Sequence, residues 1–411
     1  MLNKPLEGVK VIDLTYFVAG PGTSKILADW GADVIKVEPS FGDPGRKTGA
    51  TMTMPIDDDN NPFYSTYNSN KRGLSINLKS EAGIEIMDKL LSEANVFVSS
   101  YRTGALKRLG LDYESLSEKH PHLIWGQING FGDFGPAKDN AGFDTVAFWA
   151  RSGAMLDIAE KDTSPINPPI AFGDATTSCS LSGGICAALY QQAKTGKGQK
   201  VMASLFGQAI WNASSLLAST QFSDEYPKTR KNAISPVINS YRCKDGKWIF
   251  LSILEHERYF EALCRLFGRE DLIKDEKFAS SVESKKNATE LINILDGEFA
   301  KFTQNEMVEK LTTADIAHER IQHVNDVVTD EQAIANNYIY EHTSKNGNKT
   351  MLASTPVKFG NIEVNMTCDA PLIGEHSDEI LRELGYSDSD IEALIESGIV
   401  AMNKETCEVC Q

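Results

Sequence analysis

The feature that most constrains the fold is a regular alternation of short apolar strands with helical segments over the first 205 residues. Residues 8–14 and 33–38 are patterned as strands, and between them lie a tight turn at 19–22 and a short helix over 23–30. In a strand–helix–strand unit of this kind the two strands lie parallel. Further strands are predicted at 95–99, 122–127 and 199–205, with helices near 80–93 and 174–194. The alternation predicts a doubly wound α/β sheet with helices on both faces.

The pattern changes near residue 225. Lys244–Asp245–Gly246 is a hairpin signal between two strand-like segments, and charged, largely helical sequence follows to about residue 315. A strand-like piece at 356–359 and two helices over 377–397 come next. We therefore predict four parts, namely a large α/β part over 1–224, a smaller α+β domain over 225–325, a C-terminal part over 326–403 and a tail over 404–411.

Charge and composition exclude several classes of partner. The chain has 41 Lys and Arg against 57 Asp and Glu, a formal net charge of −16. Such a field repels phosphate backbones and anionic lipids, which argues against nucleic-acid and membrane partners. No apolar run is long enough to span a bilayer, and the seven cysteines are scattered. These features predict a cytoplasmic protein with reduced thiols.

The first strand–helix turn is a weak dinucleotide signal. A Rossmann fingerprint that starts at Gly20 requires glycines at 22 and 25, and position 25 is Lys. The alternatives left open here are a turn without a ligand and a turn that meets a CoA-type ligand.

Asp174 is the candidate nucleophile. It follows an apolar strand-like segment and Gly173, and it opens a long predicted helix. An N-cap aspartate, which stabilises the helix by about 1 kcal/mol, explains this pattern equally well. The same position would place a carboxylate beside unpaired helix N–H groups, which keep it ionised and could hold an oxyanion. The local sequence does not choose between the two roles.

Basic residues are sparse but are concentrated in the first quarter of the chain. Because several follow predicted strands, they are candidates for a phosphate-binding crevice, with solvated helix faces as the alternative. They are Lys36, Arg46, Lys47, Lys71, Arg72, Lys79, Arg102, Lys107 and Arg108.

No motif predicts a metal centre. Cys407 and Cys410 form a lone CxxC pair near the C-terminus, and the histidines lack zinc-protease spacing. Neither a GxSxG elbow nor a phosphate-binding lysine loop is present.

Ten short segments, in order along nearly the whole chain, resemble the family III CoA-transferases, the group that contains formyl-CoA transferase and carnitine CoA-transferase. The N-terminal ones are GVKVIDL at 8–14, AGP at 19–21, GADVIKVE at 31–38, GDPGR at 42–46 and NKR at 70–72. The others are GAL at 104–106, LGLDY at 109–113, GD at 173–174, TGKGQKV at 195–201 and LIGEHSD at 372–378.

This resemblance implies a large Rossmann-like domain built from both chain ends, a smaller central α+β domain and an interlocked homodimer. It implies that Asp174 is the nucleophile. It also implies CoA contacts from the turn residues Val18 and Ala19, from a strand over 76–79, and from residues after the fourth strand. The implied CoA contacts are Val18, Ala19, Ile76, Leu78, Lys79, Ser100, Tyr101, Arg108 and Lys138. The glycine-rich loop of formyl-CoA transferase has no counterpart here.

The segment YRTGAL at 101–106 is similar to clostridial enzymes that act on (R)-2-hydroxy acids such as 2-hydroxyisocaproate and phenyllactate. The resemblance therefore implies CoA transfer from an acyl-CoA or 2-enoyl-CoA to such an acid, through an aspartyl anhydride and an aspartyl-CoA thioester. It places this reaction in anaerobic amino-acid fermentation such as leucine degradation, linked to a 2-hydroxyacyl-CoA dehydratase. CoA is then a substrate, and no permanent cofactor or metal is expected.

Three alternatives stay open at this point. One is a family III transferase for formate and oxalate, a dicarboxylic acid or carnitine. Another is an α-methylacyl-CoA racemase, which relies on a histidine where this chain has Phe143. The third is a non-catalytic CoA-binding protein.

Overall fold

The structure is a computed structural model that describes residues 4–222, 224–360, 362 and 367–403. The strands are β1 Lys10–Leu14, β2 Asp33–Glu38, β3 Arg72–Ile76, β4 Val96–Ser99, β5 Ile124–Asn129, β6 Lys200–Ser204, β7 Ile238–Arg242, β8 Trp248–Ser252, β9 His318–Ile321, β10 Ile339–Thr343, β11 Lys349–Ala353 and β12 Val400–Ala401. The first nine helices are α1 Ala19–Asp29, α2 Pro62–Asn68, α3 Glu81–Glu93, α4 Thr103–Leu109, α5 Tyr113–Lys119, α6 Ala154–Asp157, α7 Phe172–Thr195, α8 Leu205–Asn212 and α9 Ser214–Thr220. The others are α10 His256–Leu266, α11 Glu270–Ile273, α12 Ser281–Lys286, α13 Ala288–Phe299, α14 Gln304–Thr313, α15 Glu331–Ala335, α16 Ser377–Glu383 and α17 Asp388–Glu396.

A seven-stranded sheet forms the centre of the larger part, and it confirms the predicted α/β fold. Its strand order is β12-β3-β2-β1-β4-β5-β6. The strands from β3 to β6 are parallel, whereas β12 pairs antiparallel with β3. Chain order reverses between β1 and β4, which are hydrogen-bonded neighbours. In open sheets of this type, ligands bind outside the carboxyl ends of the strands at such a reversal.

The central strands are apolar because helices cover both faces of the sheet. In β1 the side chains of Val11, Ile12 and Leu14 are buried, as are those of Val96, Phe97 and Val98 in β4. Burial of such side chains contributes about 1.5–3 kcal/mol each. The core therefore lies directly beneath the strand ends that carry the site.

The first turn of α1 corrects one prediction. Residues 19–22 are the first turn of α1 and not a separate loop, with Val18 at the N-cap position. Pro21 fits there because the first helical turn needs no hydrogen bond from its nitrogen. The whole of α1 is buried, and it packs against α7.

The chain divides into two compact units, and the predicted boundaries need correction. One unit comprises residues 1–154, 167–217 and 331–411, and the other comprises residues 155–166 and 218–330. The second unit contains the antiparallel sheet β7-β8-β9. Residues 155–166 were placed in the large part, but their neighbours in space lie in the second unit. A segment this short does not differ in composition from the residues on either side, so the sequence does not show that it belongs to the other unit.

Three other predictions are wrong. The strand ends at Ile76, and Leu78 and Lys79 lie in a turn where the Lys79 N–H donates to Asn77 Oδ1 at 3.1 Å. Residues 356–359 form no strand; the strands in this region are β10 and β11, a hairpin that was missed. Cys368 is disulfide-bonded, so the thiols are not all reduced. Thiol pairing depends on distance across the fold, which the sequence does not give.

The predicted tail, including Cys407 and Cys410, lies outside the described residues. Within the described ranges, no helix is long and apolar enough to cross a membrane.

Candidate active site

A narrow cleft lies at the carboxyl ends of β1, β4 and β5, next to the point where chain order reverses. Its volume is about 110 Å³. The residues that line it come from the segments after these strands, from 138–143 and from the start of α7 and α8. Among them are Tyr16, Phe17, Val18, Ala19, Ser100, Tyr101, Arg102, Lys138, Asp139, Phe143, Asp174 and Leu205. We call this the aspartate cleft.

Asp174 lies in the first turn of α7, and the N-cap alternative is wrong. The helix begins at Phe172, and the N-cap position is held by Ala171, whose φ of 68° is left-handed. Asp174 is therefore the third helical residue, and no hydrogen bond from the described residues contributes to the pKa of its carboxyl group. The carboxyl group is left available on the wall of the cleft.

The electrostatics of Asp174 differ from the sequence-based expectation. Burial and, as the smaller cause, the nearby carboxyl group of Asp144 together raise the pKa of Asp174 to about 7. In the described part of the chain, no hydrogen bond to the Asp174 carboxylate offsets these effects. The expectation that helix N–H groups keep it ionised is therefore wrong. One of these helix N–H groups, that of Asp174, binds the carboxyl group of Asp144 instead and donates to Asp144 Oδ1 at 3.1 Å.

The segment after β1, which lines the cleft together with Asp174, is held in a strained conformation. Phe17 has a φ of 64°, a left-handed value that is rare for an aromatic residue. Its N–H donates to Asp43 Oδ1 at 3.0 Å. Asp43 Oδ2 pairs with Lys36 Nζ at 3.0 Å, and Lys36 Nζ also donates to the Thr15 carbonyl at 3.0 Å. A buried ion pair thus fixes the turn that places Val18 and Ala19 beside Asp174.

A second and larger cleft, of about 1080 Å³, adjoins the carboxyl ends of β2 and β3. It is lined by four of the predicted CoA contacts, Ile76, Leu78, Lys79 and Arg108. Tyr101 lines both clefts. We call this the basic cleft, because Lys79 and Arg108 are exposed there and take part in no ion pair among the described residues.

The basic residues of the first quarter divide into two groups, which the sequence could not separate. Four are partners of acidic side chains, which leaves them unavailable as a phosphate site: Lys36 with Asp43, Arg46 with Glu38, Lys71 with Asp13 and Arg72 with Asp33. The others are exposed, and of these Lys79, Arg102 and Arg108 line the two clefts.

Asp174 and all of the CoA contacts that the resemblance implies therefore lie on one of two adjacent clefts. Val18, Ala19, Ser100 and Lys138 share the aspartate cleft with Asp174. The aromatic side chains of this cleft were missed. Phe17 and Phe143 have ring centroids 5.7 Å apart, and Tyr16 contacts both Phe17 and Tyr101 edge to face. Tyr16 and Phe17 directly follow β1. Their position at the carboxyl end of a parallel strand could have identified them as site residues, because ligands bind there in sheets of this type.

Asp144 was also missed as a neighbour of Asp174. It begins a π-helical segment, Asp144–Ala150, and such segments are common at functional sites. In the sequence, only the preceding residue, Phe143, was considered, because α-methylacyl-CoA racemases have a histidine there, and Asp144 itself was not considered.

The arrangement suits nucleophilic chemistry on an apolar acyl group. A carboxyl group faces a cleft with aromatic walls, and exposed cations lie along the adjoining cleft. No cluster of side chains that could hold a metal ion occurs in the described ranges.

Comparison with known proteins gives consistent results. Residues 6–377 match the family model described as CoA-transferase family III. The chain is 40% identical over 396 residues to (R)-2-hydroxy-4-methylpentanoate CoA-transferase of Clostridioides difficile, covering 96% of this chain and 99% of that protein. It is 36% identical to cinnamoyl-CoA:phenyllactate CoA-transferase of Clostridium sporogenes, covering 97% and 98% of the two chains.

Among solved structures, a CAIB/BAIF family protein from Brucella suis superposes with a TM-score of 0.79 at 29% identity, covering 93% of this chain and 100% of that one. The fold, the family match over most of the chain and the full-length relatives agree, and the protein belongs to CoA-transferase family III.

Proposed function

We propose that this transferase moves CoA from an acyl-CoA or 2-enoyl-CoA to a free (R)-2-hydroxy acid with a branched or aromatic side chain. The observation that carries the proposal is the aspartate cleft, which Asp174 lines together with the contacting rings of Phe17 and Phe143. Two relatives of similar length are named for acids of this type, 2-hydroxy-4-methylpentanoate and phenyllactate.

The proposed placement of CoA follows from charge. The phosphates of CoA would lie along the basic cleft, where Lys79 and Arg108 have no carboxylate partner among the described residues. The thioester end would pass Tyr101, which lines both clefts, and reach Asp174. Ser100 and Lys138 would contact the part of CoA within the aspartate cleft.

The proposed reaction keeps the thioester energy in covalent bonds. Asp174 attacks the acyl carbonyl, a C–O bond forms, and the C–S bond breaks as CoA thiolate leaves. The thiolate then attacks the Asp174 carbonyl carbon of the anhydride, which releases the first acid as its carboxylate. The incoming acid reverses these steps. Division of one transfer into covalent stages is nucleophilic catalysis, and it requires that water be kept from the anhydride.

The walls of the aspartate cleft favour an apolar acid. Aromatic rings gain from contact with a branched or aromatic side chain, whereas formate or oxalate would leave them without partners. A racemase would need a proton-transfer group at Phe143, and a phenyl ring carries no proton that it could transfer.

The experiment that tests this function is intact-protein mass spectrometry before any acceptor is added. The enzyme is mixed separately with 4-methylpentanoyl-CoA, cinnamoyl-CoA, succinyl-CoA and formyl-CoA. We expect an acyl or CoA adduct from the first two donors, and transfer to (R)-2-hydroxy-4-methylpentanoate or (R)-phenyllactate when either acid is added. No adduct from any donor, or efficient transfer only with formyl-CoA or succinyl-CoA, would contradict the proposal.

Phe143→Ala tests the aromatic wall within the same assay. We expect the KM for the branched or aromatic acid to rise by about tenfold or more, because a lost apolar contact of this size changes discrimination by roughly 10–200-fold. The rate with a short acid such as acetate should change little. Equal effects on both acids would show that Phe143 does not contact the acyl group.

We also propose that the protein is a homodimer. On α7 and α8, Tyr190 is 66% exposed and Trp211 is 75% exposed, and large exposed apolar side chains of this kind mark interfaces. A second copy would cover this face. Light scattering coupled to size-exclusion chromatography should give twice the chain mass of 45.2 kDa. The cytoplasmic location, the fermentation role and the link to a dehydratase stay predictions.

A further inference from the structure

Asp144 lies directly behind the catalytic aspartate and is 5% exposed. Its Oδ1 accepts a hydrogen bond from the Asp174 N–H at 3.1 Å. Its Oδ2 is buried without a hydrogen-bond partner in the described part of the chain, and the facing Trp149 Nε1 falls outside hydrogen-bond geometry. Glycine is required at position 173, because a Cβ there would overlap Asp144 Oδ1 and the ring of Phe148. The backbone between the two carboxyl groups is therefore closely fitted to Asp144.

The surroundings give this pair of carboxyl groups no compensating cation. Neither Asp144 nor Asp174 takes part in an ion pair within the described residues. Tyr67 on α2 faces both carboxyl groups, and burial together with their charge raises its pKa to about 12, so it stays neutral. The other charged side chains that line the cleft are Arg102, Lys138 and Asp139, and none of the three is among the groups that shift the pKa of Asp174. The two carboxylates thus repel each other whenever both are ionised.

We propose that Asp144 is a positioning residue that fixes the backbone of Asp174 and destabilises its free carboxylate, so that the covalent intermediates are favoured. This inference rests on the proposed function. In the aspartyl anhydride the negative charge has left Asp174 with the CoA thiolate. In the aspartyl-CoA thioester it has left with the released acid. Both intermediates therefore relieve the repulsion from Asp144.

Two opposing effects on the pKa of Asp144 support this role. Burial raises the pKa of Asp144, while the backbone N–H groups of Asp174 and Gly173 act in the opposite direction and lower it. The hydrogen bonds from these N–H groups stabilise the ionised form of Asp144. Once Asp144 and Asp174 are both ionised, the two carboxylates repel each other. Greater basicity also makes the Asp174 carboxylate a better nucleophile toward the thioester carbonyl.

The test is the pH dependence of adduct formation by Asp144→Asn, which keeps the shape and an oxygen that accepts the Asp174 N–H. Rapid quenching and intact-protein mass spectrometry measure the rate with 4-methylpentanoyl-CoA between pH 5 and pH 9. We expect the acid limb to move down by about one pH unit or more, since removal of the charge lowers the pKa of Asp174. At pH 8 the equilibrium constant for adduct formation, obtained from the fraction of adduct over a range of donor concentrations, should fall by about tenfold.

Asp139→Asn is the matched control, because Asp139 lines the same cleft but is not among the groups that shift the pKa of Asp174. We expect its acid limb to move by much less. If Asp144→Asn is insoluble, Asp144→Ser retains an acceptor oxygen and is measured in the same way. An acid limb and equilibrium constant for adduct formation equal to those of the unaltered enzyme would overturn the inference. Absence of an adduct on the unaltered enzyme would instead refute the proposed function.

Discussion

Asp174→Asn should abolish CoA transfer and at the same time stabilise the folded protein. Loss of an enzyme nucleophile lowers kcat by roughly 10⁴–10⁶-fold. The mass-spectrometric adduct should disappear with every donor. Asp174→Ala, which has no amide that could revert to a carboxylate, should give the same loss.

The expected stability change follows from the raised pKa of Asp174, which is about 7 in the folded protein against an ordinary value of 3.8. Between these values the folded state binds more protons than the unfolded chain, so the stability that this group contributes below pH 4 is lost as the pH rises through 7. An uncharged amide avoids this loss. Urea unfolding at pH 8 should therefore show a gain of about 1–3 kcal/mol, less than the shift implies because solvent reaches the half-buried carboxyl.

At about pH 3, below the ordinary pKa of 3.8, the two proteins should be nearly equally stable, because Asp174 is then largely protonated in both the folded and unfolded states. Glu118→Gln, at an exposed position on α5, is the control and should change neither activity nor stability. Retained transfer by the Asn and Ala variants would refute the nucleophile assignment. Loss of activity together with unfolding would instead indicate a structural role for Asp174.

Lys36→Met should produce the largest loss of stability. Burial alone would lower the pKa of Lys36, but the carboxylates of Asp43, Asp13 and Glu38 outweigh it and raise the pKa, so the buried lysine stays charged. Removal of one partner from a buried ion pair leaves uncompensated charge and costs about 3–5 kcal/mol. Urea unfolding at pH 7 should show a decrease of this size.

Two further variants separate the ion pair from packing. Lys47→Met, at an exposed position, should change the free energy of unfolding by less than about 0.5 kcal/mol. The double variant Lys36→Met/Asp43→Asn should recover part of the loss, because it removes a stranded charge. A double variant no more stable than Lys36→Met would show that the loss comes from packing. The single variant should also weaken binding of CoA thioesters, since Lys36 and Asp43 hold the strained turn at Phe17.

The sequence predicted the elements that have a strong local signal. The helix expected near 80–93 is α3, which begins after the N-cap Ser80, and the strands expected at 95–99 and 199–205 are β4 and β6. The errors lie where local signals conflict. The glycine-rich segment at 19–22 was interpreted as a turn, yet it is helical because Pro21 and the small residues allow α1 to begin there.

The sequence by itself determined the strand–helix alternation and the family. It also selected Asp174 as the candidate nucleophile, because this residue follows Gly173 in the family's Gly-Asp pair. These properties are carried by neighbouring residues, so periodicity and short motifs reveal them. Only the tertiary structure decided which cations are buried partners, as Lys36 is, and which are exposed in a cleft, as Arg108 is. It alone buried Asp174 and placed Asp144, thirty positions away in the chain, against it, and both effects raise the pKa of Asp174. Electrostatic interactions depend on distance through space and on exclusion of water, and neither is written in the local order of residues.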